Sequence, residues 1–146
     1  IGVPDTPGIA YQILGPIGDA NIEVDVILQN VGDEGKTDFT FTVSRSDLEK
    51  AEAILESHIA ELGALEWRSD SRIAKVSVVG VGMRSHAGVA ANMFRALAEV
   101  GVNMQMISTS EIKISVIIEE KFLELAVRTL HSAFGLDQPE AGEAQD

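Results

Sequence analysis

Two stretches of the chain alternate between apolar and polar residues, with the period of a β-strand that buries one face. Between them, Asp33-Glu34-Gly35-Lys36 has the composition of a tight turn. The pattern therefore predicts a β-hairpin. The apolar positions are Ile22, Val24, Val26 and Leu28 in the first strand, and Phe39, Phe41 and Val43 in the second.

Helical periodicity surrounds this hairpin. Before it, residues 8–19 fit a helix with Thr6 or Asp5 as N-cap and Pro7 at the first helical position, while Gly15-Pro16 predicts a kink or an early end. After it, Ser46 and Glu49 form a capping box that opens a helix over residues 47–62, ending at Gly63. The apolar stripe of this second helix is Leu48, Ala51, Ile54, Leu55, Ile59 and Leu62.

The second half of the chain repeats this order. A short strand at residues 65–68 is expected to close the first half, and the apolar run at 73–81 predicts a strand buried on both faces. A helix follows from Ser85 or His86 and ends at Gly101. Further elements are then expected as strands at 102–109 and 112–118 and a helix at 120–134.

The two halves align without a gap at an offset of 80 residues, so the chain is a tandem repeat. Each copy reads strand, helix, strand, strand, helix, strand, which predicts an α+β chain of two ferredoxin-like βαββαβ units. The expected domains are residues 1–72 and 73–135, followed by a disordered acidic tail at 136–146. The aligned pairs are Gly8 with Gly88, Ala10 with Ala90, Ile22 with Val102, Val24 with Met104, Val26 with Met106 and Ile27 with Ile107.

The strand count is incomplete at the outer edges of both units. The first strand is barely present at Ile1-Gly2-Val3, and no strand pattern follows the last helix. We expect residues upstream of Ile1 in a longer protein to supply the start of the first strand and the missing strand of the second unit.

Charge and composition narrow the function. With 23 acidic against 11 basic residues the formal net charge is −12, which excludes nucleic acid and anionic membranes as partners and favours a small cationic or zwitterionic ligand. The chain has no cysteine, and no apolar run reaches the roughly 18 residues of a membrane span. Without a signal-peptide pattern, these features indicate a cytoplasmic protein.

The usual cofactor and metal patterns are also missing, so we expect neither group. Gly80-Val81-Gly82 follows a strand, but the third glycine of a dinucleotide fingerprint is replaced by Ser85. The three histidines, at positions 58, 86 and 131, are far apart in sequence. No motif in the chain has the spacing of a catalytic site.

The strongest binding feature is a glycine between a strand end and a helix N-terminus, where free N–H groups suit a carboxylate. Gly8 and Gly88 both hold this position, and Asp5 can take the ammonium group of the same amino acid. Gln29, expected on the same strand face as Asp25, is placed to hydrogen-bond that ligand. Each of these residues also has a purely structural interpretation. Gly8 and Gly88 would only form tight turns, and Gln29 would be a solvated residue at a strand edge. Asn103 and Gln105 would belong to a polar outer face of the second unit.

Several segments together resemble the regulatory half of bacterial aspartate kinase, a pair of ACT domains. They are Val-Pro-Asp-Thr-Pro-Gly-Ile-Ala at 3–10, Leu-Gln-Asn-Val at 28–31, Lys-Thr-Asp-Phe-Thr-Phe-Thr-Val at 36–43, Lys-Val-Ser-Val-Val-Gly-Val-Gly-Met-Arg-Ser-His-Ala-Gly-Val at 75–89 and Ile-Ser-Thr-Ser-Glu-Ile-Lys-Ile-Ser at 107–115. The resemblance implies binding of lysine and threonine and feedback inhibition of aspartate phosphorylation. It also implies a homodimer of side-by-side ACT domains that works with a kinase domain or α subunit, this chain being no enzyme by itself.

The resemblance also implies site residues. Threonine would lie against Asp5, Gly8, Ile9, Ala10 and Gln29 of one chain, closed by Asn103 and Met104 of a partner chain, with Asp25 a contact for lysine. The second repeat lacks the ammonium-binding aspartate, so a second site there depends on other groups. Its candidate residues are Ser85, Gly88, Val89, Ala90 and Thr109.

Other classes remain open at this point. The chain is alternatively an oligomerisation module that ignores amino acids, or the regulatory ACT pair of another amino-acid biosynthetic enzyme. A small hydrolase of the acylphosphatase type would need an arginine in its phosphate loop, for which Arg84 alone is weak support.

Overall fold

The computed structural model describes residues 1–80 and 86–135 of the chain. Within them the chain forms two compact units that divide between Ser71 and Arg72. Each unit has one three-stranded antiparallel sheet with two helices packed on one of its faces, consistent with the predicted pair of ferredoxin-like α+β units. The predicted acidic tail at 136–146, like Ser85, lies outside the described residues.

The first unit has its strands in the order β1-β3-β2, which makes β2 an edge strand. The predicted hairpin is confirmed: Glu34 and Gly35 have φ of 61° and 70°, the two positive values of a type I′ turn. Its elements are β1 (Val3–Pro4), α1 (Ile9–Asp19), β2 (Val24–Val31), β3 (Lys36–Val43), a 3₁₀ turn (Arg45–Asp47) and α2 (Leu48–Leu62).

Helix α1 departs from the sequence prediction at its start. Its N-cap is Gly8 rather than Thr6 or Asp5, and Pro7 lies outside the helix. The reason is a tight turn in which the Ile9 N–H donates to the Thr6 carbonyl oxygen at 3.2 Å, so no side chain caps the helix.

Helix α1 continues through Pro16 to Asp19, so the prediction that it ends early at Gly15-Pro16 is wrong. Gly15 has no Cβ to clash with the proline ring, and the proline removes only one helical hydrogen bond. The buried residues Ile9, Ile13 and Ile17 recur every four positions and hold the helix on the sheet.

Helix α2 begins through the 3₁₀ turn, and the predicted capping box does not form. Instead, the Ser44 hydroxyl donates to the Asp47 carboxylate at 3.1 Å. The predicted end is confirmed, since Gly63 follows the helix with φ of 69°. Residues 65–68 form no strand: within the described part of the chain, two backbone hydrogen bonds, both with Ile1, join this segment to a neighbour, too few for a ladder.

The second unit orders its strands β4-β6-β5. The strand buried on both faces is the central β6, whose residues 114–118 are all buried, and not β4. Since β4 is an edge strand, its Val79 is 65% exposed. The elements are β4 (Ile73–Val79), α3 (His86–Glu99), β5 (Met106–Thr109), β6 (Lys113–Glu119), a 3₁₀ turn (Glu120–Phe122) and α4 (Leu123–Ala133).

The repeat is visible in equivalent hydrogen bonds. After α1 the Ile22 N–H donates to the Ile17 carbonyl oxygen at 3.2 Å, and 80 residues later Val102 donates to Leu97 at 3.0 Å. All four residues are buried. The two repeats thus have the same hydrogen bond at equivalent helix ends. The strand predicted at 102–109 is shorter in the structure, because β5 begins at Met106 and residues 102–105 lie outside it.

Candidate functional site

The loop from β1 to α1 presents an open helix N-terminus. Gly8 is left-handed, with φ of 89°, and a Cβ built there would meet nothing within 4 Å. The Ile9 N–H is used by the turn, whereas the first turn of a helix offers the N–H groups of Ala10 and Tyr11 no helical acceptor. Such groups, at the positive end of a helix dipole, suit a carboxylate ligand.

Asp5 lies in the same loop, and its side chain is exposed. Its N–H donates to the Gly35 carbonyl oxygen at 2.8 Å, which fixes the loop to the tip of the hairpin. The backbone is thus held while the carboxylate stays open to solvent. An acidic group beside the helix N-terminus supplies the charge that an ammonium group needs.

A β-bulge in β2 decides where Gln29 lies. Val24 pairs with Val43 but Ile27 pairs with Phe41, so Asp25 and Val26 together oppose Thr42. Directly paired residues share a sheet face, and Gln29 pairs with Phe39, whose ring packs against the core beneath α1.

Gln29 consequently faces the helix side of the sheet, along with Ile27 and Val31. The prediction that Val24, Val26 and Leu28 share one buried face is wrong for Leu28, which pairs with Thr40 on the other face. The bulge also breaks the alternation that was expected to put Gln29 and Asp25 on one face.

The structure therefore brings the N-terminus of α1 and Gln29 to the same side of the first sheet. Strand β3 lies between β1 and β2, so about 10 Å of sheet separates the two outer strands. The β2 side of this region is uncovered: Ile27 is 53% and Val31 76% exposed.

The other predicted residues have different surroundings. The Ile9 side chain is buried in the core and its N–H bonds to the Thr6 carbonyl oxygen, whereas Ala10 is exposed. Asp25 is exposed at the bulge. Asn103 is exposed and Met104 half-buried on the segment that precedes β5 in the second unit.

Sequence reasoning missed three groups at this site. Tyr11 is 81% exposed on the first turn of α1, and Ile27 and Val31 flank Gln29 on the open face. The alternation over residues 22–28 assigns no role to Ile27 or Val31, and their exposure follows only from the place of β2 at the edge of the sheet.

In the second repeat, the described residues that align with Gly8, Ile9 and Ala10 differ from them in conformation or packing. Gly88 is the third residue of α3 rather than a left-handed cap, and Val89 and Ala90 pack against the core of their own unit. Thr109 is exposed at the end of β5 and pairs with Ile114. In the part of the chain that the structure describes, the candidate second site thus has a different backbone from the first.

Two further features concern the described residues. No three His, Asp or Glu side chains among them lie close enough together to hold a metal ion. None of their helices has the length and apolar character needed to cross a membrane.

Comparison with known proteins supplies the family. Two models, each described as an ACT domain, match residues 1–60 and 76–134. The chain is 65% identical over 138 residues to an aspartate kinase of Pseudomonas putida, covering 94% of this chain and 34% of that protein. An aspartokinase of Helicobacter pylori is 50% identical over 137 residues, covering 94% of this chain and 33% of that protein. The chain thus spans about a third of the length of these relatives.

Solved structures of similar length agree. A structure of aspartokinase alpha and beta subunits superposes with a TM-score of 0.85 at 59% identity, covering 92% of this chain and 88% of that chain. The ligand-free regulatory subunit of aspartate kinase from Thermus thermophilus has a TM-score of 0.85 at 43% identity, covering 92% and 89%. The chain therefore belongs to the aspartate kinase family and corresponds to its regulatory part, a pair of ACT domains.

Proposed function

We propose that this chain binds threonine, lysine or both, and that binding inhibits aspartate phosphorylation by an associated kinase domain or α subunit in the cytoplasm. The observation that carries the proposal is the left-handed Gly8 at an open helix N-terminus, on the same side of the sheet as Gln29. This arrangement offers donors for a carboxylate and an amide for a polar side chain, and no catalytic group is required.

In this proposal threonine is held mainly by the first unit. The N-terminus of α1, from Gly8 to Ala10, receives the carboxylate, and the exposed Asp5 pairs with the ammonium group. Gln29 hydrogen-bonds the side-chain hydroxyl. Because Ile9 is buried and its N–H bonds to the Thr6 carbonyl oxygen, it contributes through the packing that fixes the helix start.

Asn103 and Met104 of a partner chain close the site in a homodimer of side-by-side ACT domains, and Asp25 contacts lysine. The effector inhibits because it binds one state of the assembly more tightly than the other. A coupling of about 1–3 kcal/mol between effector and substrate sites is sufficient for strong feedback.

A second candidate function is an oligomerisation module that ignores amino acids. It is favoured by the exposed Ile27 and Val31 on an edge strand, which pairing alone would cover.

A thermal-shift screen with lysine, threonine, both together and the other amino acids separates the two. A ligand at about one hundred times its dissociation constant stabilises its bound state by about 2.7 kcal/mol, which shifts the melting temperature by several degrees. We expect this shift with threonine or lysine. A flat response to both, with an intact dimer, would favour the oligomerisation module, and a shift with other amino acids only would indicate another biosynthetic enzyme.

A further inference from the structure

We propose that Thr42 is a positioning residue for the effector site, because its hydroxyl holds the β2 bulge that turns Gln29 toward the helix side of the sheet. The Val26 N–H donates to the Thr42 hydroxyl oxygen at 3.0 Å in a partly buried position. The structural part of this inference stands on the strand register alone. Its consequence for ligand binding rests on the proposed function.

The register shows what the bulge does. If pairing continued from Val24 opposite Val43 without an extra residue, Gln29 would lie opposite Asp38 on the outer face of the sheet. The observed partner of Gln29 is Phe39 instead, which lies one residue closer to Val43 than Asp38 does. A shift of one residue moves a side chain to the other face of a strand, so the bulge decides whether Gln29 faces α1.

Thr42 is suited to hold the bulge because a bulge removes one backbone group from the ladder. The hydroxyl supplies the missing acceptor to the Val26 N–H, and the Val26 side chain is itself buried, with 7% of its surface exposed. The extra residue is thus fixed by its backbone and its side chain together. Loss of the acceptor would leave a partly buried N–H without this partner and favour the regular register.

The second repeat reaches the same outcome by another route. Met104 packs against the core and Ile107 pairs with Val116, three residues apart like Val24 and Ile27. The residue aligned with Val26 is Met106, which pairs with Ile117, an apolar residue without a side-chain acceptor. The N–H of the preceding Gln105 donates to the Ile117 carbonyl oxygen at 2.8 Å. In the strand pairs that the structure describes, a side-chain acceptor opposite this position is thus found in the first unit, where the candidate ligand loop lies.

The test compares Thr42→Val, which keeps the branched shape and removes the acceptor, with Thr42→Ser, which keeps the hydroxyl. Cross-strand nuclear Overhauser effects in the whole chain report the register, and calorimetry with threonine and with lysine reports the site. We expect Thr42→Val to replace the Ile27 to Phe41 contacts with Val26 to Phe41 contacts. Effector affinity should fall about tenfold or more, while Thr42→Ser stays within about twofold of the wild type.

Native register in Thr42→Val would overturn the inference whatever the affinity, as would equal loss of affinity in the valine and serine variants. If the valine variant does not fold, Thr42→Ala provides a second chain without the hydroxyl. Its register is read from the same Ile27 to Phe41 and Val26 to Phe41 contacts, and a native register would again overturn the inference. If the wild type binds neither amino acid, the proposed function fails, while the register of the variants still tests the role of Thr42.

Discussion

Replacing Gly8 by alanine tests whether the loop conformation at the helix start is imposed by the fold. Its φ of 89° and ψ of −4° are left-handed, and a Cβ there would touch nothing within 4 Å. The cost of Gly8→Ala is therefore backbone strain alone, about 1–2 kcal/mol. With a urea dependence of about 1–3 kcal/mol per molar, the unfolding midpoint of the first unit should fall by roughly 0.3–2 M.

Gly18→Ala is the matched control in the same helix. A Cβ at Gly18 also meets nothing within 4 Å, but Gly18 has no positive φ. Alanine favours a helix over glycine by up to about 1 kcal/mol, so this variant should keep or raise the midpoint. Urea titrations followed by circular dichroism compare the two. Equal midpoints for both variants would refute the reasoning, because the left-handed backbone at Gly8 would then carry no cost.

Further predictions concern the core of the second unit and the hairpin of the first. Met93 is fully buried, so Met93→Ala should lower the free energy of unfolding in urea by about 2–5 kcal/mol. Val127 is 47% exposed, so Val127→Ala should lower it by less than about 0.5 kcal/mol. Similar losses in the two variants would contradict the place of Met93 in the core of the second unit. Glu34 has φ of 61°, so Glu34→Gly should stabilise the hairpin by about 0.5–1 kcal/mol in thermal unfolding. Asp33→Gly, at a position without positive φ, should not stabilise it, and a gain there would count against the type I′ turn.

The sequence predicts those parts of the fold that depend on neighbouring residues. Glu34-Gly35 defines its turn through local backbone preferences, and the four-residue spacing of Ile9, Ile13 and Ile17 defines the buried face of α1. These features need no knowledge of distant partners. The offset of 80 residues likewise identifies equivalent positions from the sequence alone, and two of them, Ile22 and Val102, make matching hydrogen bonds in the structure.

The predictions from sequence are wrong where the face or the burial of a residue depends on pairing with a strand that is distant in the sequence. Val24, Val26 and Leu28 alternate without a fault, yet pairing with β3 inserts a bulge and turns Leu28 to the other face. The apolar run in β4 resembles a doubly buried strand, but the sheet order gives that place to β6. Neither the bulge nor the order of the strands can be predicted from the composition of a single strand.

The candidate site shows the same division. The sequence identifies Asp5 and Gly8 through their loop, since a glycine before a helix has a local physical meaning. The side of the sheet that Gln29 faces depends on the β2 register, and the exposure of Ile27 depends on β2 being an edge strand. Polar and apolar residues of one strand thus join a site that alternation alone does not predict.

Calorimetric titration of the chain with threonine and with lysine tests the central claim most directly. The wild type and Asp19→Ala, an exposed acid at the far end of α1, should bind effector equally. Asp5→Ala should retain its fold, because the loop is fixed through the Asp5 backbone N–H, but lose at least about tenfold in affinity for the ammonium group. Unchanged threonine and lysine binding in Asp5→Ala, or no binding of either by the wild type, would contradict the account.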